Sequence, residues 1–263
     1  MRARLILTAC FAAGAASPAI FHRDTDSSGE RAPAITLRKR LHVNPLIAEP
    51  DTLDIEWGSA FSWDGSFTFP MAIHFTPEGH HAWWGRTEFG VAFDSLSSNE
   101  GVHFGDRATF AATCVLRDGE KLDIAIVPAA TVLMRGDSGL RAGTTAIARY
   151  DVGRSSAGVT FGWSGATRPS PSNPAGTFDI GAGYGFRLMP SGPLGHLTPH
   201  VNWLWEKSTG VERQISIFEG VEYQITDPVA VDFALQHISL WGGAPDRQFV
   251  IGLTVNTGRL HKH

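Results

Sequence analysis

Beyond Ile20 the chain lacks any apolar run of the roughly eighteen residues that a membrane-spanning helix requires. A membrane crossing would therefore have to be made by strands. Cysteine is nearly absent, with Cys10 and Cys114 the only two in 263 residues. Loss of an N-terminal leader would leave Cys114 alone, which excludes an intramolecular disulfide in the mature chain. Cys114 then reads as a small apolar strand residue. Charge is also scarce, at 18% of residues, and 22 basic against 26 acidic side chains give a net charge of −4. No basic stripe exists to follow a phosphate backbone, so nucleic acid is excluded as an expected partner. A glycine-rich phosphate loop, a metal-protease helix and a paired catalytic carboxylate spacing are all missing, and no cofactor is expected.

What is present points outward from the cytoplasm. Arg2 and Arg4 precede an apolar stretch from Leu5 to Ala16, and small residues follow at Ala13-Gly14-Ala15 and Ser17-Pro18-Ala19, the layout of a secretory signal over residues 1–19. Leu7-Thr8-Ala9-Cys10 resembles a lipoprotein box, but the apolar run before Cys10 is too short for one. Residues 20–50 are polar and mixed, with charge and serine from Asp24 to Arg31 and a basic Arg38-Lys39-Arg40, and read as an arm or linker.

From Asp51 the pattern changes to segments of about ten residues with an apolar residue at every second position, the period of strands. Leu53, Ile55, Trp57, Phe61 and Trp63 share one face, and Asp54, Glu56, Gly58, Ala60 and Ser62 the other. Phe67 to Phe75 repeats this after the hairpin signal Asp64-Gly65. Further strands are expected around Glu88–Asp94, Arg107–Thr113, Leu122–Ile126, Ala142–Val152, Ala157–Trp163, Phe178–Leu188, Leu197–Trp205, Ile215–Ile225, Val229–Trp241 and Phe249–Val255. That makes about twelve, an all-β chain separated by Gly, Pro, Asp and Ser turns.

The polar faces decide between a soluble and a membrane barrel. They are rich in small residues, as in Gly158, Thr160, Gly162 and Ser164, where a water-facing surface would carry Lys and Glu. The aromatic residues Trp57, Trp63, Trp163, Trp203, Trp205, Trp241, Tyr150, Tyr184 and Tyr223 share the apolar faces, mostly near strand ends, as interfacial girdles require. A closed antiparallel barrel also leaves no backbone edge unpaired in lipid. The expectation is a transmembrane up-and-down β-barrel over residues 51–258 with a short tail at 259–263, placed in a Gram-negative outer membrane, with lipids and the barrel assembly machinery as partners.

Strand parity names the inward residues: Glu56, His74, Glu88, Asp94, Arg107, Asp123, Arg141, Arg149, Asp151, Asp179, Arg187, His200, Glu206, Glu222 and Asp232. Such a mixture either pairs across the interior as a structural plug or biases which solutes pass. Two other groupings could carry chemistry. His237-Ile238-Ser239 resembles the His-x-Ser of outer-membrane lipid A deacylases, in which Ser is the nucleophile and His the base. In this chain Leu240 replaces the Asn that commonly follows, and neither Glu219 nor Asp246 falls where that family's acid lies. Glu78, His80 and His81, beside Trp83 and Trp84, would need a further ligand from elsewhere to hold a metal, so no metal site is expected.

Phe69-Pro70, the run Gly85-Arg86-Thr87-Glu88-Phe89-Gly90 and the ending Asp246-Arg247-Gln248-Phe249-Val250-Ile251-Gly252-Leu253-Thr254 resemble outer-membrane proteins grouped as transporters of the MetA pathway of phenol degradation. The resemblance spans roughly Asp51 to Asn256, and it implies a barrel of the twelve-stranded type passing small, aromatic or hydrophobic solutes. Many such barrels end on an aromatic residue, whereas this chain runs on to His263.

Overall fold

The computed structural model describes residues 50–63, 65, 67–78, 86–97, 107–133, 139–170, 173–189, 192–210, 213–226, 228–240 and 246–259. The leader, the arm to residue 49, Trp83, Trp84, His80, His81 and Trp241 lie outside them.

Twelve strands form one closed antiparallel barrel: β1 Thr52–Ser62, β2 Phe67–Thr76, β3 Thr87–Ser97, β4 Arg107–Arg117, β5 Leu122–Leu133, β6 Gly139–Val152, β7 Ser155–Ala166, β8 Gly176–Phe186, β9 Leu197–Ser208, β10 Gln214–Thr226, β11 Val229–Leu240 and β12 Asp246–Arg259. Each strand pairs with its neighbours in sequence, and β12 closes on β1 through pairs such as Trp57 with Leu253 and Phe61 with Phe249. Closure is what lets a sheet cross lipid, because every edge N–H and C=O finds a partner. No helix among the described residues is long and apolar enough to cross a membrane.

Period two becomes two surfaces of opposite character. The outer surface exposes Phe110, Val159, Phe161 and Trp163, each more than half accessible, and Phe161, Phe178 and Trp205 meet edge to face along it. The inner surface carries the charged and hydroxyl side chains, most of them buried. A soluble barrel would show the reverse. The aromatic residues sort by end. Trp63, Trp163 and Trp205 lie near the end that carries the β1–β2, β7–β8 and β9–β10 connections, and Tyr150, Tyr184 and Tyr223 lie near the other, while Trp57 and Trp203 sit closer to mid-strand.

Two prolines lie within strands, where a missing N–H breaks the ladder. β5 runs through Pro128 to Leu133, well past Ile126, where the sequence pattern places its end, and the β4–β5 pairing has a gap between Ala111–Ala129 and Cys114–Ile126 at that point. Pro70 coincides with a register shift between β2 and β3, and Gly58 on β1 leaves room for its ring, because a Cβ there would stand 2.8 Å from Pro70 Cγ.

Candidate functional site: the inner wall

The inner wall is not uniform around the circumference. Five buried carboxylates gather on β3, β1, β11 and β10, with β2 lying between the first two strands and β12 between β1 and β11: Glu88, Asp54, Glu56, Asp232 and Glu222. Glu56 interacts electrostatically with His74, Glu88, Glu222 and Asp232, which brings these strands' side chains to one region. His74 Nδ1 stands 3.3 Å from Glu88 Oε1, and His200 Nε2 stands 3.8 Å from Asp232 Oδ1. Asn256 Nδ2 donates to Asp54 Oδ1 at 2.5 Å, tying β12 to β1 at one member of this group.

A second part of the wall is apolar. Val115 of β4, Ala125, Val127 and Ala129 of β5 and Ile147 of β6 form a buried cluster with Ala111 packed against it. These side chains point inward by the same parity as Thr113, Asp123 and Arg149. The inward face of β4–β6 is therefore mixed, a short oily arc flanked on the same strands by Thr109, Thr131, Asp123 and Arg149. The sequence signal was present in the interruption of the polar parity at Val115, Val127 and Ile147, but the small and charged residues elsewhere outweighed it.

The arginines are held in two different ways. Arg149 Nη2 lies 2.7 Å from Asp123 Oδ2 and 3.0 Å from Asp151 Oδ2, a paired charge near the end that carries the β4–β5 and β6–β7 turns, and Ser156 Oγ donates to Asp151. Arg141 is bonded mainly to neutral oxygens. Its Nη1 donates to Ser164 Oγ at 2.7 Å, its Nη2 to the Pro174 carbonyl at 2.8 Å, both to Thr177 Oγ1 at 3.2 Å, and its Nε to Asn173 Oδ1 at 3.3 Å. Asn173 belongs to the β7–β8 connection and is only 1% exposed, so this connection is anchored into the barrel mouth by a wall arginine.

Glycines on β7 and β10 make space for these groups. A Cβ at Gly162 would collide with the Asp179 carboxylate, and one at Gly220 would stand 2.7 Å from the His200 ring. Glycine in the polar parity is thus the complement of a long inward side chain on the next strand.

Little of the inner wall is reached by water. One inward side chain from each strand (Asp54, His74, Glu88, Thr113, Val127, Thr145, Thr160, Asp179, Glu206, Glu222, Gln236 and Gln248) shows at most the 7% exposure of Glu206. Parity placed Glu56, His74, Glu88, Asp123, Arg141, Arg149, Asp179, His200, Glu206, Glu222 and Asp232 inside, and all are buried on the inner wall. Arg107 and Asp151 are partly buried; Arg187 falls just past β8 in the connection, and the Asp94 side chain lies outside the described residues. No group of three or more His, Cys, Asp or Glu among the described residues is arranged to hold a metal ion.

His237 faces outward on β11, in register with Ile217 of β10 and Arg247 of β12. Glu219 shares that outer face but is in register with Leu235, and no contact links it to His237; the Ser239 side chain lies outside the described residues. The Ser-His-acid chain that a hydrolase needs is not assembled among the described atoms.

No family model matches the chain, and no curated protein matches it. Solved structures do share the fold. The COG4313 outer membrane channel from Pseudomonas putida F1 aligns over 84% of this chain and 100% of its own, with a TM-score of 0.60 and 11% identity. A KdgM porin in complex with disordered oligogalacturonate aligns over 77% of this chain and 98% of its own, at TM-score 0.57 and 10% identity. At such identity the likeness concerns the barrel.

Proposed function

We propose that this protein is an outer-membrane barrel that passes small solutes through a narrow, polar-walled lumen, reaching the membrane after removal of a signal peptide over residues 1–19. The observation that carries this reading is the inverted polarity of a closed barrel: Phe110, Phe161 and Trp163 outside, Glu56, Glu88, Arg141 and Glu222 inside. Lipid accepts that exterior, and charges shielded from it must be paired or hydrated within. Barrels of similar fold are described as an outer membrane channel and a porin, which is consistent with transport. The MetA-pathway resemblance adds aromatic or hydrophobic solutes, and the inward apolar cluster of Val115, Val127 and Ile147 is in keeping with them.

The low water exposure of the inner wall favours a second reading, a structural barrel with no transport. Liposome uptake separates the two. Purified protein in liposomes should admit small aromatic solutes and cations while excluding oligosaccharides; liposomes as tight as protein-free controls would leave the structural reading.

A further inference from the structure

We propose that residues 31–48, the last part of the arm before β1, dock inside the barrel against the acidic arc of Glu88, Asp54, Glu56, Asp232 and Glu222 and narrow the passage as a tethered plug. The inference rests on the channel reading above and supplies that channel with an occupant from its own chain.

The wall calls for an occupant. Roughly eight strands enclose a space that side chains alone fill, and about sixteen leave a water channel. Twelve strands lie between, and the inward positions here include Gly58, Gly90, Gly162, Gly181 and Gly220. One inward side chain on every strand is nevertheless no more than 7% exposed.

The chain enters β1 at the mouth where the acidic arc lies. All five carboxylates fall within the first five residues of their strands, counted from that end of the barrel. Residues 50–51 form a turn there. Asp51, at φ 65°, is the one non-glycine among the described residues in the left-handed region, and its N–H donates to the Thr76 carbonyl at 2.7 Å. The chain therefore bends at the rim, where Asp51 is only 3% exposed. Ten residues lie between Arg40 and Asp51, a reach of up to about 35 Å.

Charge and pattern both match. Between Arg31 and Ala48 stand four bases, Arg31, Arg38, Lys39 and Arg40, and no acid. The wall carries the opposite sign, since its buried acids outnumber Arg141 and Arg149 among the described residues. Neighbouring carboxylates held away from water are stabilised by cations brought among them. Ile35, Leu37, Leu41 and Val43 alternate with Thr36, Arg38, Arg40 and His42, and Lys39 alone breaks the apolar row. An extended segment with that pattern turns its bases to the acidic arc. Its apolar side then meets Val115, Val127 and Ile147, which occupy the same half of β4, β5 and β6. Tethering raises the local concentration of the segment to the order of millimolar, so a modest affinity fills the site.

Trypsin reads the docking directly, because the segment's own bases are its cleavage sites. In the folded mature protein in detergent, cutting after Arg38, Lys39 and Arg40 should run about tenfold or more slower than cutting after Arg23, as for bonds reached only when the segment undocks. Glu88→Gln with Glu222→Gln and Asp232→Asn should bring the two rates together. Equal rates in wild type, or unchanged protection in that variant, would overturn the proposal. Heat-modified gel mobility confirms that each protein is folded. In planar bilayers, deletion of residues 31–48 should raise conductance about threefold or more, as for unblocking a lumen. A synthetic peptide of residues 31–48, added on the side of the β2–β3 connection, should reverse the gain. A deletion protein that conducts no more than a conducting wild type would also overturn the plug. Silence in both proteins overturns the channel reading, and the protease rates then decide the docking alone.

Discussion

Arg141 on the wall strand β6 holds Asn173 of the β7–β8 connection, with Nε donating to Oδ1 at 3.3 Å, while its Nη2 takes the neighbouring Pro174 carbonyl at 2.8 Å. Both residues are 1% exposed, and the guanidinium also engages Ser164 and Thr177, so one side chain ties the connection to three strands. Its removal strands several buried acceptors. Arg141→Ala should cost on the order of 3 kcal/mol by the penalty for breaking a buried charged network. It should also release the connection, seen as faster protease cleavage between Arg168 and Asn173 and as a larger conductance. A variant with wild-type stability and unchanged cleavage would show that the contacts carry no latch.

The glycine pattern makes a sharper packing prediction. Gly162→Ala places a methyl group against the Asp179 carboxylate, and the clash should destabilise the barrel by roughly 1–3 kcal/mol, the range of overpacking substitutions. Asp179→Gly in the same chain should restore most of the loss. Urea titration followed by tryptophan emission would read both, and additive rather than compensating effects would argue against a direct contact.

Orientation of the two faces can be checked by charge. Val159 and Thr160 are adjacent on β7, one more than half exposed on the outer surface and the other buried within. Val159→Arg should cost about 2–4 kcal/mol if that position lies near the bilayer midplane, less toward an interface. In detergent-free folding assays with vesicles, an unaffected Val159→Arg would contradict a lipid-facing exterior.

Strand number and facing were legible in the sequence because alternation is a local property, fixed by the pleat whatever the partners. Leu53, Ile55 and Trp57 had to share a face once they lay in a strand. Three features were less accessible. The end of β5 was hidden by Pro128, a strand breaker that the barrel tolerates by skipping ladder pairs on its β4 side. The oily arc depends on Val115, Val127 and Ile147 coming from three strands into contact, a relation of register that no single segment displays. The Arg141 anchor depends on how a proline-rich connection folds back, and nothing in Arg168 to Pro174 encodes which wall residue will receive it.

The acidic arc sets the expected selectivity. Asp54, Glu56, Glu88, Asp179, Glu206, Glu222 and Asp232 outnumber the buried Arg141 and Arg149 on the inner wall, so the field inside should favour cations. Glu88→Gln with Glu222→Gln should lower cation over anion preference, measured as a smaller reversal potential in a salt gradient. A reversal potential that stays the same would place the permeating ions away from this arc.

Single-channel recording of the purified protein in planar bilayers tests the central claim most directly. Discrete, small, cation-preferring current steps in wild type, enlarged in Arg141→Ala, are the expected result. Stable insertion with no steps in either protein would contradict a solute-conducting barrel.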